Sequence, residues 1–153
     1  MPIPMSEPDV TSAEQRAVLE VLRTPTLALG PRLTLFERKV ASYVGTPHAA
    51  GVSSGTAGLH LCMLATGAGH GDLVLTTPFS FVASANSILY VGARPVFVDV
   101  EPLALTIDPD ALAKAARALG GRGRRSRRLK AILPVDVFGQ PADMDPILEI
   151  ARR

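Results

Sequence analysis

The chain has 153 residues, 47% of them hydrophobic and 20% charged, with 16 basic and 14 acidic side chains for a formal charge of +2. That apolar content excludes a disordered chain, and 13 Gly and 13 Pro without a period exclude a collagen-like or repeat polymer. A single cysteine, Cys62, excludes an intramolecular disulfide framework, and no run reaches the roughly 18 apolar residues of a membrane span.

Residues 1–9, with Pro2, Pro4 and Pro8, read as an extended arm. The arm lacks the basic end and apolar run of a signal peptide, so a cytoplasmic protein without membrane contact is expected. Residues 11–22 predict a first helix, with Thr11 or Ser12 as cap, Glu14 in its first turn, and Val18, Leu19 and Leu22 on an apolar stripe. Thr24-Pro25 ends it, and residues 1–26 are grouped as N-terminal arm and helix. Pro31 opens a second helix with Leu35, Phe36, Val40 and Tyr43 near a 3.6 period, closed by Gly45.

From there strand and helix alternate. Strands are expected at residues 49–52, 73–76, 95–98 and 131–137, and helices at 56–66, 82–90, 110–119 and 145–152. Such alternation predicts an α/β protein with mostly parallel strands, and the continuous apolar runs predict a sheet covered on both faces. A further strand is expected after Arg153, so the sheet reads as unfinished.

Charge is uneven. Residues 114–130 hold eight of the 16 cations and no acid, so the remainder carries a net −6. Among Gly120, Gly121 and Gly123, residues 120–128 read as a solvated basic loop. The alternative is a non-catalytic domain that binds an acidic partner or nucleic acid through Arg122, Arg124, Arg125, Arg127 and Arg128. Nucleic acid is disfavoured, because no aromatic side chain interleaves with these arginines to stack on bases.

The chemistry is concentrated where the first expected strand turns into a helix, at Ser53-Ser54-Gly55-Thr56-Ala57. Gly55 permits a tight turn, and the amides of Gly55, Thr56 and Ala57 are expected to point along the helix axis unpaired. With the Ser54 and Thr56 hydroxyls they make a natural phosphate cradle. The spacing is neither a Walker loop nor a dinucleotide fingerprint, and a capped helix without ligand is the plain alternative. Cys62 is expected to be a buried small hydrophobe and His60 a packed or partly exposed helix residue. His48 and His70 lack partners at metal spacing, so no metal site is expected.

Five ordered blocks carry a resemblance. They are Gly30-Pro31 with Phe36-Glu37; Ser53 to His60; Pro78-Phe79-Ser80-Phe81-Val82-Ala83-Ser84-Ala85-Asn86; Gly92 to Val100; and Pro134 to Met144. Over residues 27–153 the chain resembles the DegT/DnrJ/EryC1/StrS sugar aminotransferases, which use pyridoxal 5'-phosphate. The resemblance implies the three-layer α/β/α large domain of the fold-type-I transferases, here incomplete, with residues 1–153 as its N-terminal part. It implies cofactor contacts at Ser54, Gly55, Thr56, Ala57 and Phe81, with the Phe81 ring against the pyridine face. Asp136 stands where many members carry His, at a strand end where α/β folds collect ligands; a functional role and a plain strand-end Asp both remain open. Asp99 is read as capping the turn after its strand.

Transamination needs a lysine to hold the cofactor and an Asp to pair with the pyridine nitrogen. Of Lys39, Lys114 and Lys130, none stands in the family's lysine motif, so no catalytic residue is assigned. The resemblance thus implies a fragment of an enzyme that moves an amino group from glutamate or glutamine to a keto-sugar nucleotide. A homodimer is implied, with the loop 27–31 near its interface. The fragment is expected to be inactive alone, and the family's dehydratase branch is the rival chemistry.

Overall fold

The computed structural model describes residues 7–119 and 128–152. Most of the expected arm, and the basic loop except Arg128, lie outside these residues. The described chain forms two compact units, one ending at Gly51 and one starting at Val52.

The first unit is helical. α1 (Ser12–Leu22) starts in a capping box: the Thr11 amide donates to Glu14 Oε2 at 2.7 Å, and Thr11 Oγ1 accepts from the Ala13 amide at 3.1 Å. The Thr11 hydroxyl also donates to Glu14 and holds its carboxyl below the usual range. α2 (Pro31–Val44) has Pro at its first turn and ends at Gly45, whose φ of 73° suits a residue without Cβ. Arg32 on α2 pairs with Glu20 on α1 at 2.6 Å, and the Gly51 amide donates to Glu37 Oε1 at 2.8 Å.

The second unit is a parallel sheet between two helical layers. β1 (Leu73–Thr76) is central, flanked by β2 (Arg94–Phe97) and β3 (Leu129–Leu133), giving the order β2-β1-β3. Successive side chains of a strand face opposite sides, and that alternation builds two cores. On one face Val74, Ala131 and Leu133 pack with Met63 of α3 (Gly55–Ala65) and Ile88 of α4 (Ala83–Tyr90). On the other face Leu75, Val96 and Ile132 pack with Leu112 of α5 (Pro109–Leu119) and Ile147 of α6 (Met144–Arg152). This is the expected α/β/α arrangement, and β1 is buried along its whole length.

The expected strand at residues 49–52 is not formed. A strand exists through its ladder, and among the described residues none pairs with this run. β3 stops at Leu133 because Pro134 offers no N–H to continue the ladder. β2 is only partly covered. The Arg94 amide donates to the Asp72 carbonyl just before β1 at 3.0 Å and the Val98 amide to the Thr76 carbonyl of β1 at 2.8 Å, so the nitrogen of Pro95 faces away, as Pro requires on an edge. A bulge lies between the Leu73–Leu129 and Val74–Ala131 pairs, with Lys130 as the extra residue.

Helix placement follows from connectivity. The chain runs from β1 through α4 to β2 on one side, then through α5 across β1 to β3 on the other. Crossovers of one hand running in opposite directions put their helices on opposite faces. The segments leaving β1 and β3, which are neighbours, therefore diverge to opposite faces. That divergence opens a crevice at their carboxyl ends, the place where ligands bind in open α/β sheets.

Candidate functional site

Ser54 is the N-cap of α3. Its extended backbone turns the chain into the helix, and its Oγ accepts from the Ala57 amide at 3.1 Å. This corrects the expectation of three unpaired amides: the Ser54 side chain takes one, and the Gly55 and Thr56 amides remain without an intrahelical acceptor. The Ser54 hydroxyl keeps its proton to donate. A Cβ built on Gly55 would meet nothing within 4 Å, so the space beside the first residue of α3 is open. The first turn of α3 holds no acid, like those of α2 and α4 and unlike those of α1, α5 and α6, which carry Glu14, Asp110 and Asp145. The positive end of the α3 dipole is thus left for an external negative charge. The donors, the open space and the field fit a phosphate group.

Phe81 lies in the segment between β1 and α4. Its side chain is 77% exposed and is not part of the core of the described residues. Its backbone is held nonetheless: its carbonyl accepts from the Ser84 amide at 3.1 Å and from Ser80 Oγ at 3.3 Å, and the Ser80 and Ser84 hydroxyls meet at 2.7 Å. Thr77 Oγ1 accepts the Phe79 amide at 3.2 Å and fixes the start of the same segment. A tethered backbone carrying a free ring is suited to stacking on a flat ligand.

At the end of β3, Asp136 has a structural task. Its Oδ1 accepts the Ala142 amide at 2.8 Å and closes the turn that leads to α6. Inside that turn Phe138 takes a left-handed backbone (φ 52°, ψ 25°). For a residue with a Cβ this costs about 1–2 kcal/mol. The ring stands out of the turn, edge-on to Phe79 with centroids 6.1 Å apart and planes at 77°. The Phe-Gly pair at 138–139 carries no sequence signal for a strained Phe, so sequence reasoning missed it. Asp99 Oδ1 accepts the Val100 amide at 2.9 Å, a capping contact.

The lysines stand on other elements than α3. Lys39 and Lys114 are exposed on α2 and α5. Lys130 Nζ lies 3.7 Å from where a Cβ of Gly67 would be, past the far end of α3 from Ser54. An 11-residue helix spans about 16 Å, so Lys130 does not meet the cradle. Asp72 anchors this opposite end, bound by Arg128 Nε at 3.2 Å and the Gly69 amide at 3.1 Å. The Arg128 hydrogen bond holds its carboxyl below the usual range against the opposing effect of burial, helped by Gly69 and the charges of Arg128 and Lys130.

Cys62 is exposed, contrary to expectation. Met63 takes the core position of α3, and one residue of helix turns Cys62 well away from it. His60 packs against Tyr90 of α4, edge to face at 5.4 Å. Among the described residues no group of His, Cys, Asp and Glu could hold a metal, and no helix is long and apolar enough to cross a membrane.

A sequence model of the DegT/DnrJ/EryC1/StrS aminotransferase family matches residues 8–153. GDP-perosamine synthase of Caulobacter vibrioides is 40% identical over 152 residues, covering 99% of this chain and 38% of that protein. The crystal structure of a DegT DnrJ EryC1 StrS aminotransferase from Brucella abortus superposes with a TM-score of 0.85 at 36% identity, over 91% of this chain and 37% of that one. The PLP-form of Spr1654 from Streptococcus pneumoniae gives a TM-score of 0.83 at 32% identity, over 97% and 36%. The chain thus spans little more than a third of the length of the relatives it matches.

Proposed function

This chain belongs to the DegT/DnrJ/EryC1/StrS aminotransferase family, and from that premise we propose that it forms the cofactor-phosphate half of a sugar aminotransferase site. The reaction is transfer of an amino group from glutamate or glutamine to a keto-sugar nucleotide. The cofactor is pyridoxal 5'-phosphate, which supplies the carbonyl that carries the amino group and the ring that takes up electron density. GDP-perosamine synthase among the relatives supports a nucleotide-linked sugar as substrate.

The observation that carries this reading is the α3 N-terminus: two amides without acceptors, two flanking hydroxyls and open space at Gly55. Gly55 and Thr56 donate to the phosphate, Ser54 both donates to it and holds Ala57 in the helix, and Phe81 stacks on the pyridine face. Ser80 and Ser84 keep the Phe81 backbone in place. Nothing in these residues moves a proton at a reacting carbon. None of Lys39, Lys114 and Lys130 stands in the family's lysine motif, so residues 1–153 alone bind the cofactor without a covalent bond and do not turn over.

Amino transfer requires the rest of a family site, in an assembly read here as a cytoplasmic homodimer. The loop 27–31, in which Leu29 has a left-handed backbone (φ 51°) and an exposed side chain, is the segment offered to the second subunit. The test is a chimera in which residues 1–153 replace the matched region of GDP-perosamine synthase. Glutamate-dependent amination of a keto-sugar nucleotide by the chimera supports the reading. A folded chimera that binds the cofactor but transfers no amino group contradicts it, as does turnover by the 153-residue chain alone.

A further inference from the structure

We propose that Phe138 and Phe79 form a subsite for the nucleobase of the sugar nucleotide, built on other segments than the phosphate cradle on α3. The proposal rests on the substrate class read above, and its observations are independent of the cradle. β1 and β3 are adjacent parallel strands whose following segments pass to opposite faces of the sheet. Phe79 leaves the end of β1 and Phe138 the end of β3, so the two rings meet across the crevice that this divergence opens.

The rings stand nearly perpendicular and form a corner with a face and an edge. Phe138 is 89% exposed although an apolar ring gains by burial, and its left-handed backbone lifts it out of the turn. That turn is not loose. The Gln140 amide donates to the Val137 carbonyl at 2.9 Å and Asp136 holds the Ala142 amide, so the strained conformation is imposed from both sides. An exposed aromatic ring on a fixed turn is a stacking platform for a flat heterocycle, and stacking accepts any base. The charge at this turn is the carboxylate of Asp136, which repels a pyrophosphate and leaves the base as the fitting end of the nucleotide.

The test titrates the 153-residue chain with GDP, with inorganic pyrophosphate and with pyridoxal 5'-phosphate, by calorimetry and by NMR of the phenylalanine rings. GDP binds at least tenfold more tightly than pyrophosphate. Phe138→Gly suits a left-handed backbone and so leaves the turn intact; it weakens GDP by about 5- to 150-fold, the range of losing one base–aromatic stack. Phe138→Tyr keeps GDP affinity within about twofold. Pyridoxal phosphate affinity is unchanged in both. The proposal is overturned if Phe138→Gly binds GDP like the parent, if pyrophosphate matches GDP, or if the substitution abolishes self-association while GDP affinity stays constant. A chain that binds pyridoxal phosphate but not GDP overturns the base subsite and leaves the cofactor reading standing. The converse result overturns the cofactor reading alone.

Discussion

Ser54 is asked to do two things, and two substitutions separate them. As N-cap of α3 its oxygen satisfies the Ala57 amide, and loss of such a cap costs about 1 kcal/mol. For a chain of this size that lowers Tm by about 2–4 °C. Ser54→Ala should therefore destabilise by that amount and weaken the cofactor by the loss of one hydroxyl donor. Ser54→Asp should behave differently. An Asp accepts from the same amide and its charge favours the helix dipole by about 0.3–1 kcal/mol, so stability is kept or raised. Yet the carboxylate stands where the phosphate should sit. Two unit charges 4 Å apart at an effective dielectric constant near 20 repel by ~4 kcal/mol before screening, so affinity should fall at least tenfold. Thermal melts and pyridoxal phosphate titrations of both variants provide the check. A Ser54→Asp chain that binds the cofactor as tightly as the parent would refute the cradle, and a Ser54→Ala chain with unchanged Tm would refute the cap.

Other expectations follow from the packing and the charges. Leu75 on the central strand is fully buried, so Leu75→Ala should cost about 2–5 kcal/mol in urea unfolding; a loss below 1 kcal/mol would mean that the α5–α6 layer does not cover β1. Phe81→Ala removes a mostly exposed ring, so stability should change by less than about 0.5 kcal/mol while cofactor affinity drops about 3- to 10-fold. Equal affinity would contradict stacking. Asp72 has a folded pKa below its ordinary value of 3.8 because it is bound by Arg128. Its contribution is therefore present above that value and lost as pH falls through the lower folded value. Asp72→Asn should flatten the acid limb of the stability curve below about pH 4, and an unchanged acid limb would deny the Asp72–Arg128 link.

The fold was legible because its signals are local. Thr11 and Glu14, Pro31 and Gly45, and Asp108-Pro109 mark helix ends through capping chemistry that needs no distant partner. The three strands that formed combine apolar runs with neighbours to pair with. The run 49–52 is apolar too, but pairing is non-local and no described residue supplies it. Cys62 was misplaced for a related reason. α3 is apolar on nearly every side, so periodicity does not tell which side meets the sheet, and Met63 took that place. At the candidate site the turn and its possible cap were both readable, while the Ala57 amide that the cap takes was counted as unpaired. The Phe79–Phe138 corner was invisible, because it joins two chain segments about 60 residues apart in space alone.

The central claim is that the open amides of α3 receive the phosphate of the cofactor. The direct measurement is the backbone amide spectrum of the 153-residue chain during titration with pyridoxal 5'-phosphate and, separately, with pyridoxal, which lacks the phosphate. The account predicts saturable shifts of the Gly55 and Thr56 amides with the phosphorylated compound and little change with pyridoxal. Equal shifts with both compounds, or amides that stay unmoved while the cofactor binds, would contradict it.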